Sequence, residues 1–156
     1  MATPTHADAP SRAPLKAGAL AGLIAGAVFM MMEMGLVALT GDSPWGPPRM
    51  IAAIVMGEGV LPPPASFDLM VMMAAMAVHF LLSIVIGVGF AVVARRLGWI
   101  MAVAVGGAVG LALYVVNFYG MTAVFPWFAM ARNTISIVSH LVFGLVLGLS
   151  FRALAK

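Results

Sequence analysis

Each of the four long apolar stretches of this sequence has a carboxyl, amide or imidazole side chain well inside it. These side chains are Glu33, His79, Asn117 and His140. A carboxyl, an amide and two imidazoles can hold and pass protons, or they can hydrogen-bond a small polar solute. Ionisable side chains inside a membrane span are costly and persist where they are paired or functional. These four residues are therefore the candidate functional residues.

The composition indicates that the stretches around them span a membrane. Of the 156 residues, 63% are hydrophobic and 8% are charged, and the mean hydropathy is +1.12. A soluble domain has roughly 25% charged and 45–50% apolar residues. A soluble enzyme, a disordered chain and a nucleic-acid-binding module are excluded as classes. The absence of cysteine also excludes disulfides and thiolate metal sites.

Four stretches are long enough to cross the apolar core of a bilayer as helices, which takes about 20 residues each. The sequence predicts an all-α four-helix transmembrane bundle over residues 17–152, with spans at 17–39, 69–94, 99–119 and 133–151. We expect residues 1–16 to form a disordered tail and residues 153–156 to form a short tail.

The basic residues predict the orientation of the bundle. The side that holds both termini carries six of them, and the other side carries Arg49 and Arg132. The six are Arg12, Lys16, Arg95, Arg96, Arg152 and Lys156. Because short cytoplasmic loops are enriched in Lys and Arg, we expect both termini to be cytoplasmic.

The outer loop over residues 41–67 is long for a connection, and prolines bracket its centre. Between Pro48 and Pro62, apolar residues recur at helical spacing, as at Met50 and Ile54. This pattern predicts a short helix lying in the membrane interface. Such a helix would be a cap on the bundle or a lid over an outward-facing site.

The two halves of the chain share a spacing pattern, which predicts an internal repeat. His79 and His140 are each followed at equal offsets by a glycine, a phenylalanine and a basic residue. We expect two parallel two-helix repeats, an arrangement known in transporters. Small residues allow membrane helices to approach closely, and the helix-packing candidates are Gly18, Gly22, Gly26, Gly87, Gly106, Gly110, Gly144 and Gly148.

With a helical rise of about 1.5 Å per residue, the four polar side chains reach a similar depth, in the outer third of the bilayer. They are predicted to meet there, with Arg132 at the outer mouth and able to reach towards Glu33. The layer would join the helices by hydrogen bonds, or it would handle protons or a small polar solute. A further alternative is haem b ligated by His79 and His140. The methionines suit Cu(I), but we interpret them as packing residues.

Several segments resemble short four-span bacterial membrane proteins of unassigned function, some of which carry an automatic sodium:proline symporter name. These segments are SPWGPPRMIAAIVMG, VLPPP, NFYG, FPWFAMARN and VFGLVLG. The chain is more distantly similar to YagU-like proteins, which also have a late-span histidine after a Phe-Pro-Trp segment. The resemblance implies a bacterial inner membrane.

These observations favour a transport-related membrane protein that acts as an oligomer. The alternative is an accessory subunit of a larger membrane complex. No catalytic motif is present, and we expect no enzymatic activity, no metal or cofactor other than the haem alternative, and no nucleic-acid partner.

Overall fold

In a computed structural model, the protein is a bundle of four long apolar helices with one short helix between the first two. The structure describes residues 12–63 and 65–155. The helices are α1 (Arg12–Leu39), α2 (Gly46–Met56), α3 (Leu69–Ala94), α4 (Trp99–Val115) and α5 (Thr134–Leu154). Short 3₁₀ and π turns complete the described residues, which contain no strand. The predicted all-α class and the short helix after the first span are confirmed.

Four segments are long and apolar enough to cross a membrane. They are Pro14–Leu39, Leu69–Ala94, Trp99–Ala123 and Thr134–Leu154. A helix satisfies its own backbone hydrogen bonds, which lipid cannot do, so the chain is a multi-pass membrane protein.

The tails differ from the expectation at both ends. The first helix begins at Arg12, so residues 12–16 are helical where a disordered tail was expected, and residues 1–11 lie outside the described residues. Ala, Leu and Lys favour helix, and a proline is tolerated in the first turn. The last helix continues to Leu154, and Lys156 also lies outside the described residues.

Side-chain caps determine where two of the spans begin. Asp68 Oδ1 accepts a 3.0 Å hydrogen bond from the Val71 N–H at the start of α3. Asn133 Oδ1 accepts the same kind of bond, also 3.0 Å, from Ser136 at the start of α5. These caps satisfy backbone donors that the first helical turn leaves free.

The order of packing leaves one side of the bundle open. Helix α1 packs against both α3 and α5, and α4 packs against α5, whereas α3 and α4 hardly touch. The bundle is therefore a row of helices, α3–α1–α5–α4, that bends round without closing.

Glycines provide the close contacts of the row. A Cβ on Gly22 would overlap the Ser83 carbonyl of α3, and a Cβ on Gly106 would overlap the Gly144 carbonyl of α5. The other six glycines named as packing candidates also lie against a neighbouring helix. Lipid tails give apolar helices no hydrophobic reason to associate, so close backbone approach supplies the contact.

Hydrogen bonds to backbone carbonyls join α2 to the segments that precede α3 and follow α4. Arg49 of α2 donates to the Val60 carbonyl at 2.8 Å and to the Ser66 carbonyl at 2.9 Å. Trp127 Nε1 donates to the Met50 carbonyl at 3.0 Å. These bonds hold α2 against the residues that precede α3 and against the segment that follows α4.

Candidate functional site

A cavity of about 370 Å³ lies where α3 and α4 fail to meet. Its walls are mostly apolar and include Ile51 and Ile54 of α2. Five phenylalanines line it: Phe29, Phe118, Phe125, Phe128 and Phe143. The volume falls in the range of small-molecule sites, roughly 300–1,000 Å³.

The cavity faces the surface of the bundle between the two helices that flank it. Leu82 of α3 and Val116, just after α4, both line the cavity and are about half exposed, at 50% and 52%. In a membrane, side chains exposed at this depth contact lipid tails. The cavity is therefore accessible from the lipid-facing side of the bundle.

A π turn presents Asn117 to the cavity. Helix α4 changes at Val116–Gly120 from α-helical to π-helical hydrogen bonding, and Asn117 lines the cavity. The extra residue in a π turn shifts the side chains that follow relative to a regular helix, and such turns are frequent at functional sites.

Asn117 hydrogen-bonds His140 across the α4–α5 contact. Its Nδ2 lies 3.2 Å from His140 Nε2, and His140 Nδ1 lies 2.7 Å from the Ser136 carbonyl one turn earlier in α5. Because the carbonyl only accepts, Nδ1 carries the proton and Nε2 accepts from the amide. Both ring nitrogens of His140 are therefore engaged.

His79 has a different set of partners. Its Nε2 donates to the Gly26 carbonyl of α1 at 2.9 Å. The helices are close at this point, because a Cβ on Gly26 would crowd the Ser83 side chain of α3. Its Nδ1 forms no hydrogen bond with the described residues, and the side chain, 9% exposed, lines the cavity.

Glu33 lies away from the cavity wall and pairs with a serine. Its Oε1 accepts a 2.8 Å hydrogen bond from Ser136 Oγ, and the residue is 6% exposed. Its Oε2 is buried without a partner among the described residues. Glu33 thus joins α1 to α5 through Ser136, and its hydrogen bond goes to that serine and not directly to a histidine.

Arg132 does not extend towards Glu33 as the sequence suggested. Its Nε donates to the Phe118 carbonyl at 2.6 Å, and its Nη2 lies 3.2 Å from Thr122 Oγ1. The guanidinium also sits 4.5 Å from the centre of the Tyr119 ring. The Phe118 carbonyl of the π turn and the Thr122 hydroxyl of the following 3₁₀ turn bind the guanidinium, so Arg132 closes the end of α4 instead.

The four predicted polar residues therefore do not meet as one cluster. Three of them belong to a chain that runs from Asn117 through His140 and Ser136 to Glu33, and His79 stands apart. The Phe29 ring packs against both histidines, with centroids 5.5 Å from His79 and 4.8 Å from His140.

This geometry does not fit haem ligation by the two histidines. Bis-histidine ligation requires both imidazoles to offer a free nitrogen to one iron from opposite sides of a flat macrocycle. His140 has no free nitrogen, the Nε2 of His79 is bound to a carbonyl, and Phe29 contacts both rings.

Ser136, Phe29 and the π turn were not identified from the sequence as parts of the site. Ser136 had one available signal, because it lies one helical turn before His140 on the same face of α5. Phe29 is one apolar residue among many, and nothing in the composition of VNFYG distinguishes a π turn from a regular one.

Comparison of the chain with protein-family models, curated proteins and solved structures finds no match.

Proposed function

We propose that this multi-pass protein lies in a bacterial inner membrane and binds a small, mainly apolar molecule in the cavity between α3 and α4, in a role related to transport. The observation that carries this proposal is the cavity itself, about 370 Å³ between two helices that hardly touch. A closed bundle of four packed helices would leave no such space.

The lining favours an apolar molecule over the proton or small polar solute expected from the sequence. Among the described residues, five phenylalanines and several aliphatic side chains surround the cavity, and the polar side chains are those of His79, Ser83, Asn117 and His140. Apolar walls with a few placed polar groups are typical of sites for small organic molecules.

The position of the cavity supports entry from the bilayer. Leu82 and Val116 lie at its lipid-facing side, and α2 covers its outer side through Ile51 and Ile54. Taking up a membrane-dissolved molecule and handing it on is the transport role that this arrangement supports.

We also propose that the two helix pairs are parallel repeats. Gly22 contacts the Ser83 carbonyl, and Gly106 contacts the Gly144 carbonyl in the corresponding way. Ser83 and Gly144 each lie four residues after a histidine. The cavity would then lie between the repeats, where parallel-repeat transporters also bind their substrates.

An oligomer is part of the same proposal. Helix α3 packs closely against only one other spanning helix, α1, so much of its surface is free to contact a second copy or another membrane subunit. Native mass spectrometry of gently solubilised protein should show a mass above that of one chain. A monomer alone would contradict this part of the proposal.

Ligand-induced stabilisation tests the cavity. A molecule that binds only the folded protein raises its Tm, and N-phenyl-1-naphthylamine is a suitable uncharged aromatic probe. The detergent-solubilised wild type should gain stability with the probe, and Val116→Trp, which fills the cavity mouth, should lose this gain.

Val115→Trp is the matched control, because Val115 is similarly exposed at 56% but does not line the cavity. It should respond to the probe like the wild type. No rise in the wild-type Tm, or equal rises in all three proteins, would contradict the proposal.

A further inference from the structure

Two side chains in the cavity wall, those of His79 and Asn117, have a hydrogen-bond acceptor without a partner among the described residues. His79 donates from Nε2 to the Gly26 carbonyl, so a neutral ring presents Nδ1 as an acceptor. That nitrogen belongs to a side chain that is about nine-tenths buried and lines the cavity.

Asn117 supplies a second acceptor on the opposite wall. One N–H of its Nδ2 donates to His140 Nε2, and the second N–H is left over. Its Oδ1 forms no hydrogen bond with the described residues. His79 lies on α3, whereas Asn117 follows α4, so the two acceptors come from the two walls that flank the opening.

Other polar groups of the wall add little donor capacity. The Ser83 hydroxyl already donates to the His79 carbonyl at 2.8 Å, and both nitrogens of His140 are engaged. No Asp, Glu, Lys or Arg is among the described residues that line the cavity. An ionised ligand would therefore lose its hydration without gaining a partner of opposite charge.

We infer that the ligand is an uncharged amphiphile, with an apolar and preferably aromatic body and a hydroxyl group that donates to His79 Nδ1 or Asn117 Oδ1. This inference rests on the proposed function and specifies its ligand class. A ligand with only acceptor groups, such as an ether or a ketone, could accept from the second Asn117 N–H but would leave both acceptors of the cavity wall without partners.

A pair of probes that differ in one donor tests this preference. 1-Naphthol and 1-methoxynaphthalene have the same ring system, but only the naphthol can donate. We expect the wild type to bind the naphthol about tenfold more tightly after correction for partitioning into detergent, as a site built for a hydroxyl discriminates against analogues that lack it.

His79→Phe should reduce this preference by about threefold, because the Nδ1 acceptor is lost while a ring of similar size remains. The Gly26 carbonyl that this substitution releases is not among the described residues that line the cavity. The ratio of the two affinities is the readout, so a general loss of folded protein affects both probes alike. Val93→Leu is the control, since Val93 is exposed and does not line the cavity, and it should keep the wild-type ratio.

The outcomes separate the two proposals. Equal binding of both probes, or tighter binding of the ether, overturns the hydroxyl inference. In that case the proposed binding in the cavity still stands, provided that Val116→Trp abolishes the binding of the probes. If neither probe binds the wild type, the proposed function fails and the inference fails with it.

Discussion

Ser136 on α5 donates a 2.8 Å hydrogen bond to Glu33 on α1, and this bond joins two spans that are far apart in the chain. The carbonyl of the same serine accepts from His140, which in turn accepts from Asn117 at the cavity wall. One serine therefore links the buried carboxyl group to the side of the cavity. The link passes through three helical segments that no single sequence motif connects.

Ser136→Ala should destabilise the protein by about 1–3 kcal/mol, because both oxygens of the buried Glu33 carboxyl group would then lack a partner. The free energy of unfolding in mixed micelles measures the change.

Ser139→Ala is the matched comparison. Ser139 is also fully buried on α5, but its hydroxyl has no partner among the described residues. Its removal should leave stability unchanged or raise it. Equal losses in the two variants would show that the Glu33–Ser136 bond contributes nothing.

Glu33→Gln should leave probe binding in the cavity unchanged. Glu33 is not among the cavity-lining residues, and an amide oxygen can accept the Ser136 bond in place of the carboxylate oxygen. N-Phenyl-1-naphthylamine titrations of the two proteins measure this. Loss of binding in a folded Glu33→Gln protein would show that the acid acts with the cavity as one functional unit.

Gly22→Ala should destabilise the protein by about 1–3 kcal/mol, since the new methyl group overlaps the Ser83 carbonyl and forces α1 and α3 apart. Gly106→Ala should have a similar effect at the α4–α5 contact, as the repeat proposal requires. Thermal unfolding compares the two variants.

Gly35→Ala is the control for this pair. A Cβ at Gly35 meets nothing within 4 Å, so the substitution should stabilise α1 by up to about 1 kcal/mol through helix propensity. A Gly22→Ala protein as stable as Gly35→Ala would contradict the close-approach account.

Reporter fusions test the proposed orientation. A fusion after Lys156 should report a cytoplasmic C-terminus, and one inserted between Gly57 and Leu61 should report the periplasm. A periplasmic C-terminus would reverse the orientation and would place the cavity nearer the cytoplasmic face.

The spans were predictable because membrane insertion imposes a length and an apolar composition on each of them. The positions of Glu33, His79 and His140 along their helices follow equally simply from the constant rise of a helix. The partners of these residues depend on rotation about the helix axes. In α3 and α4 the side towards lipid is as apolar as the side towards the bundle, so periodicity does not reveal which face points inward.

Two features of the structure could not be predicted from the sequence. The π turn at Val116–Gly120 changes the direction of Asn117, and a regular helix was the only geometry that spacing could assume. The separation of α3 from α4 follows from glycine contacts elsewhere, which draw α3 to α1 and α4 to α5. The glycines of the sequence predict that α1 packs against α3 and that α4 packs against α5. They do not predict the gap between α3 and α4.

The central claim is that the cavity between α3 and α4 holds a small molecule, and native mass spectrometry of protein extracted directly from membranes tests it most directly. We predict one small uncharged molecule bound per wild-type chain, retained in Val115→Trp and lost in Val116→Trp. Wild-type protein without any bound molecule, or the same adduct in Val116→Trp as in the wild type, would contradict the claim.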